Sequence, residues 1–301
     1  MKAVQALSIS ATLLPILRAG SHALVHSIFA RALNLIVGED RLLTLACHEL
    51  GDAPDTVVVD APHWRDSSLD PGTEVHLATQ RIQIGANVEV RLQGAQPWQC
   101  RLPAWTTGSA LARKHLPLAL EHVRRCGRSF AWIPPLLSDS LPDADAVVAA
   151  TLRRRAQGLC DAVINGDEAR ARQNIFDLIG LGSGLTPSGD DFVLGWLLVM
   201  SLAKGPCHGW SSVAAQAVQS ATSRTHLISA TALRHAVEGR ARQLLVDLCE
   251  ALLHGDEPQV HAALDHVIRI GANSGSDIAL GILRGFDLQL RATRPPQAMA
   301  A

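Results

Sequence analysis

The chain has 301 residues, 48% hydrophobic and 18% charged, with a formal net charge of −1. This composition excludes a disordered chain, and the near-neutral balance removes any electrostatic reason to expect nucleic acid or a membrane as partner. Tyrosine is absent, and of 27 basic residues only Lys2, Lys114 and Lys204 are lysines, so tyrosine acid–base chemistry is excluded and lysine chemistry has few places to occur.

The first seventeen residues carry one lysine and an Ala-, Leu- and Ile-rich run that resembles a weak signal peptide. Pro15 interrupts the run and no A-x-A site follows Leu17. The longest later apolar run, Phe192 to Ala203, is 12 residues and too short to span a bilayer. The expectation is a soluble, cytoplasmic protein. Short β-branched or alternating runs follow at Leu24–Phe29, Leu42–Cys47, Thr56–Asp60, Glu74–Leu77, Arg81–Ile84 and Val88–Leu92, punctuated by Gly, Pro and Asp. They predict a β-rich domain over residues 1–105, a small sandwich or barrel-like sheet. Residues 106–142 read as a helix over Ser109–Arg125 and a Pro-rich linker over Ile133–Pro142.

From Asp143 the pattern becomes helical. Leu152, Ala156, Leu159 and Val163 share one face, and further helices are expected over 167–179, 210–220, 225–237, 240–254, 258–270 and 278–290. The fold class is therefore α+β: the β-rich domain, then a larger α-helical domain over 143–292 and a frayed tail over 293–301. Six cysteines, at 47, 100, 126, 160, 207 and 249, form no C-x-x-C and no cluster with histidine, which suits buried thiols rather than a metal or redox site.

The most unusual segment runs from Gly180 to Asp191, G-L-G-S-G-L-T-P-S-G-D-D, and leads into the apolar run from Phe192. Four glycines in ten residues make a loop, and a loop of small residues ending at a helix N-terminus presents N–H groups to small anions. It is not a Walker A loop, because acids stand where that loop needs Lys and Ser or Thr, and it follows a helix rather than the strand of a Rossmann fingerprint. Asp190 and Asp191 suit Mg²⁺ bridging to a phosphate. A second copy, Gly271 to Gly281, repeats Ser-Gly-x-Asp followed by Gly: Ser188, Gly189, Asp191 and Gly195 match Ser274, Gly275, Asp277 and Gly281 at an offset of 86 (274 minus 188).

Each S-x-x-D also fits a capping box, with Gly195 and Gly281 allowing close helix packing. Asp190 has Ser276 as its counterpart and is not needed for a cap. The candidate catalytic residues are Asp190, Asp191 and Asp277. The candidate substrate-binding positions are Gly182, Gly184, Thr186, Ser188, Gly189, Asn273, Ser274 and Gly275. Thr225 and Ser229 join them as two hydroxyls four apart in a helix beside Arg224, suited to a planar carboxylate or phosphate, although Thr225 also fits an N-cap. Thirteen histidines form no H-E-x-x-H; His115 and His122, with Pro117 between them, read as core or solvated residues. Arg153 to Arg155 read as a solvated face.

These motifs, together with the Thr225–Ser229 helix ending at Gly239, Arg31 to Leu35, and Leu42 to Leu45, resemble the AllH family, whose named member is one of three unlike subunits of bacterial oxamate carbamoyltransferase. The resemblance spans about residues 20–290. It implies a subunit of an enzyme interconverting oxalurate and phosphate with oxamate and carbamoyl phosphate, in anaerobic allantoin and purine nitrogen catabolism, with other subunits as partners. The family has His-Thr before the second Ser-Gly, where this chain has Ala272 and Asn273. No activated Ser, Cys or Lys nucleophile is visible, so transfer by positioning is expected. Two other readings stand beside it: a non-catalytic structural or regulatory subunit, and a stand-alone Mg²⁺-dependent enzyme on another phosphorylated small acid.

Overall fold

The computed structural model describes residues 2–61, 63, 64, 68–105, 109–129 and 143–293. They fall into two units, Met1–Arg101 and Leu102–Ala301. The expected linker over 133–142 and the tail from 294 lie outside the described residues.

The first unit is an eight-stranded β-barrel. Its strands are β1 (Lys2–Ser10), β2 (His22–Ile28), β3 (Ala32–Val37), β4 (Arg41–Cys47), β5 (Thr56–Val59), β6 (Glu74–Leu77), β7 (Arg81–Ile84) and β8 (Val88–Arg91). They are ordered β5-β4-β3-β2-β6-β7-β8-β1, and β1 pairs back with β5 to close the ring. The first part of β1 runs parallel to β8 while its later residues pair antiparallel with β5, with a register shift between Ala6 and Ser8. A short β9 (Gln96–Trp98) adds beside Ser8–Ser10. Closure leaves no long unpaired edge. The period-two pattern puts Leu33 and Leu35, Leu43 and Leu45, Val57 and Val59, Ile82 and Ile84, and Val88 and Val90 into one apolar core.

The N-terminal segment that resembles a signal peptide is barrel wall. Residues 2–10 form β1, and the chain then turns into the short helix α1 (Leu14–Ala19), where Pro15 occupies a first-turn position that needs no N–H.

The second unit is helical. It contains α2 (Ser109–Cys126), α3 (Asp143–Ile164), α4 (Glu168–Leu178), α5 (Ser188–Met200), α6 (Trp210–Ala221), α7 (Leu227–Val237), α8 (Gln243–His254), α9 (Glu257–Ile268) and α10 (Ser274–Ala292). The apolar face of α3, with Leu152, Ala156, Leu159 and Val163, is buried, as is every residue of α5. His115 and His122 are also buried on α2, where His122 Nε2 lies 2.8 Å from the Asp265 carboxylate. In the arginine run, Arg155 pairs with Asp177 at 3.0 Å.

Two halves of this unit repeat one another. Each of α4 and α9 begins at the Glu of a Gly-Asp-Glu triplet, which starts at Gly166 and at Gly255, an offset of 89 (255 minus 166). In each half the aspartate caps the helix: Asp167 accepts from the Arg170 N–H at 3.0 Å and Asp256 from the Gln259 N–H at 2.9 Å. The second helices of the halves, α5 and α10, cross backbone to backbone. A Cβ at Gly195 would overlap the Ile278 carbonyl oxygen, and one at Gly281 would overlap the Phe192 carbonyl oxygen. Phe192 and Ile278 are themselves counterparts at the offset of 86 (278 minus 192), so the contact is reciprocal.

Gly195→Ala and Gly281→Ala are each expected to destabilise the protein by about 3 kcal/mol in urea denaturation, because the obstacle is backbone that cannot rotate away. Gly209→Ala, with open space around its Cβ and φ of −59°, should change stability by less than about 0.5 kcal/mol. Burial pushes the Cys160 and Cys207 thiols up to about 11, whereas Cys126 is exposed. Iodoacetamide at pH 8 should therefore modify Cys126 in the native protein and reach Cys160 and Cys207 only after unfolding, as read by peptide mass mapping.

Candidate functional site

The first glycine-rich loop leaves α4 at Gly180 and enters α5 at Ser188. Gly180, Gly182 and Gly184 have φ of +82°, +123° and +88°, which side chains rarely adopt. A Cβ at Gly180 would also overlap the Arg224 carbonyl oxygen. Ser183, Gly184 and Leu185 are exposed, and their N–H groups make no hydrogen bond within the described residues.

The expected capping boxes do not form. The N-caps are Pro187 for α5 and Asn273 for α10, without side-chain cap bonds, and Ser188 and Ser274 are the first helical residues. The Asp191 and Asp277 N–H groups bond the Pro187 and Asn273 carbonyls at 3.1 and 3.2 Å. Gly189 and Gly275 are needed because a Cβ would overlap the Leu178 and Val267 carbonyl oxygens. Their N–H groups bond the Leu181 and Ile270 carbonyls, each at 2.9 Å. These two glycines bring loop and helix together, and their N–H groups are already occupied.

Asp190 is 1% exposed. Its Oδ1 accepts from the Gly180 N–H at 2.7 Å and its Oδ2 accepts from the Thr225 hydroxyl, with Ser229 donating as well. Burial still holds this carboxyl above the ordinary range, against the opposing bonds from Thr225, Gly180 and Ser229 and the charge of His226. Thr225 lies in extended backbone two residues before α7 rather than inside the helix, so it is not an N-cap. Arg224 sits 4.3 Å above the Phe176 ring. The carboxylate that Thr225 and Ser229 hold is thus the chain's own Asp190.

The second cluster spans both halves. The Thr186 hydroxyl, from the first loop, lies 2.8 Å from the Ser274 hydroxyl, which begins α10. Ser274 also acts on the Asp191 carboxyl, favouring its charged form. Asp191 is 5% exposed, and its Oδ2 has no hydrogen-bond partner among the described residues. Burial pushes this carboxyl well above the ordinary range; the Ser274 hydroxyl opposes the shift, and the charges of Asp277 and Asp190 add to it. Asp277, fully buried, accepts from the Ser129 hydroxyl.

The segment after α2 lies along the second loop, a contact that no local motif announces. The Arg128 N–H donates to Ser276 Oγ at 2.9 Å. With its amide nitrogen turned toward the two carbonyls, Asn273 donates to Arg128 at 3.0 Å and to Ala272 at 3.1 Å. The structure therefore gathers Thr186, Ser274, Asp191 and Asp277, with Asn273 beside them and Gly182 and Gly184 in the outer loop. It assigns Asp190, Thr225 and Ser229 to one another. Among the described residues no group of three or more His, Cys, Asp or Glu is placed to hold a metal ion.

A family model described as oxamate carbamoyltransferase subunit AllH matches residues 178–286, which contain both loops and both first turns. A second, the AllH family N-terminal domain, matches residues 5–97, the barrel. The chain belongs to the AllH family. No solved structure matches it. Among the described residues of this AllH-family chain, no helix is long and apolar enough to cross a membrane.

If Asp190 is the fastener between the first loop and the approach to α7, its removal strands the half-buried donors of Gly180 and Thr225. Asp190→Ala should cost about 2 kcal/mol and Thr225→Val about 1 kcal/mol in urea denaturation, with the double variant clearly less than their sum. Strict additivity would show that the two do not act together.

Proposed function

We propose that this chain supplies the reactant-binding surface of a carbamoyltransferase, acting on oxamate or oxalurate, or a related ureido compound, with carbamoyl phosphate, in allantoin and purine nitrogen catabolism. The family it belongs to supports a subunit of such an enzyme, with other subunits as partners. The observation that supports the reading is the Thr186–Ser274 contact, which brings the two Ser-Gly-x-Asp elements together beside Asp191.

The chemistry follows from the groups on hand. The N–H groups of the exposed residues Ser183, Gly184 and Leu185, unbonded within the described residues, suit the phosphate or carboxylate of a small anion. In the transfer, the acceptor's amide nitrogen attacks the carbamoyl carbon. The C–N bond forms, the C–O bond to phosphate breaks, and the nitrogen's proton passes to a carboxylate, for which Asp191 and Asp277 are the candidates. Positioning of the reactants and N–H donors at the developing oxyanion supply the acceleration. The donor set around Asp190 does not fit Mg²⁺, because Gly180 and Thr225 already donate to its two oxygens.

A purely structural role accounts for Gly189, Gly195, Gly275 and Gly281. It leaves the N–H groups of the exposed loop and the open Asp191 oxygen unexplained. The test is phosphate release from carbamoyl phosphate and oxamate by the chain assembled with its partner subunits. Combining Thr186→Val with Ser274→Ala should lower kcat by about 100-fold while the melting temperature stays near wild type. Unchanged turnover in a folded variant would assign the chemistry to another subunit.

A further inference from the structure

We propose that Asp191 Oδ2 is the acceptor for the –NH2 group of a carbamoyl or ureido ligand, making Asp191 the residue that selects an amide over a methyl or carboxylate at this position. The proposal rests on the reading above, that the site takes carbamoyl compounds, and adds to it which atom reads the amide.

The argument begins with an imbalance. Asp191 is 5% exposed, yet its Oδ2 meets no donor among the described residues. A carboxylate oxygen removed from water without a donor is costly, and native structures rarely leave one so unless a ligand completes it. The charges that reach Asp191 are those of Asp277 and Asp190, both negative, with no lysine or arginine among them. A carboxylate or phosphate placed against Oδ2 would face the Asp277 and Asp190 carboxyls with no cation among those charges to offset them. The group that belongs there is a donor.

Among the atoms of a carbamoyl compound only the nitrogen qualifies. Its –NH2 is neutral and planar and carries two hydrogens, one for Oδ2 and one left for a neighbouring hydroxyl, with Thr186 and Ser274 at hand. The anionic end of the same molecule then faces away from the carboxyls. The N–H groups of the exposed residues Ser183 to Leu185, in the loop that also carries Thr186, are of the right kind to receive it. A methyl in place of the –NH2 would press carbon against a buried oxygen and satisfy nothing.

Carbamoyl phosphate and acetyl phosphate make the matched pair, since they share shape and charge and differ in –NH2 against –CH3. The full chain, titrated calorimetrically with each, is expected to bind carbamoyl phosphate about 10- to 100-fold more tightly, the range of one hydrogen bond to a charged group. In Asp191→Leu that preference should fall to within about 2-fold, with acetyl phosphate binding retained. Equal affinities in the wild-type chain would overturn the assignment without touching the proposed function, and so would a preference that survives in a folded Asp191→Leu. Binding of neither compound would overturn the proposed function and this assignment together. Should Asp191→Leu fail to fold, the wild-type comparison alone still decides.

Discussion

Two helices touch backbone to backbone where Gly195 and Gly281 have no side chains, and the rest of the helical unit is arranged around that contact. Close approach makes both first turns neighbours, so Ser274 of α10 reaches Asp191 of α5 and Asp277 lies near enough to act on Asp191 through its charge. Further along, Gly285 opposes Val199, another pair of counterparts at the offset of 86 (285 minus 199), so the crossing stays tight beyond the first turn. A side chain at any of these glycines would spread the helices and separate their first turns.

The repeat is close in framework and unequal in chemistry. Both halves have a capped helix, a loop closed by a carbonyl on a glycine N–H, and a buried helix. From the capped carbonyl's residue to that glycine, the first loop takes eight steps (189 minus 181) and the second five (275 minus 270). The three extra residues fall in the stretch holding Gly182 to Leu185, which includes the exposed residues Ser183, Gly184 and Leu185. Asp190 in the first half anchors Gly180 and Thr225, whereas its counterpart Ser276 receives the Arg128 N–H. One half thus has an exposed loop, whereas the other is met by Arg128 from just beyond α2.

Much of this was legible in the residues. Short β-branched or alternating runs marked six of the barrel strands, and the i, i+4, i+7 pattern marked α3. The strand β1 was obscured because its alternation, Val4 and Ala6 inward with Gln5 between, sits in a run whose Leu and Ile content imitates a signal peptide. The Ser-Gly-x-Asp echo was visible, but the Gly-Asp-Glu triplets before it are displaced by the loop-length difference, which breaks constant spacing. The capping boxes failed because Pro187 and Asn273 take the cap positions and move each serine one place into the helix. Thr225 was misplaced because its partner, Asp190, lies 35 residues away, and Ser129 reaches Asp277 across 148 residues. Local propensity carries no record of such tertiary bonds.

The central claim is that the two Ser-Gly-x-Asp elements form one ligand site at the α5–α10 crossing. Amide hydrogen exchange on the full chain, with and without saturating carbamoyl phosphate, addresses it directly. The account predicts slowed exchange in peptides covering 181–191 and 271–277 together, with the barrel unchanged. Slowing confined to one of those segments, or located elsewhere in the chain, would contradict it.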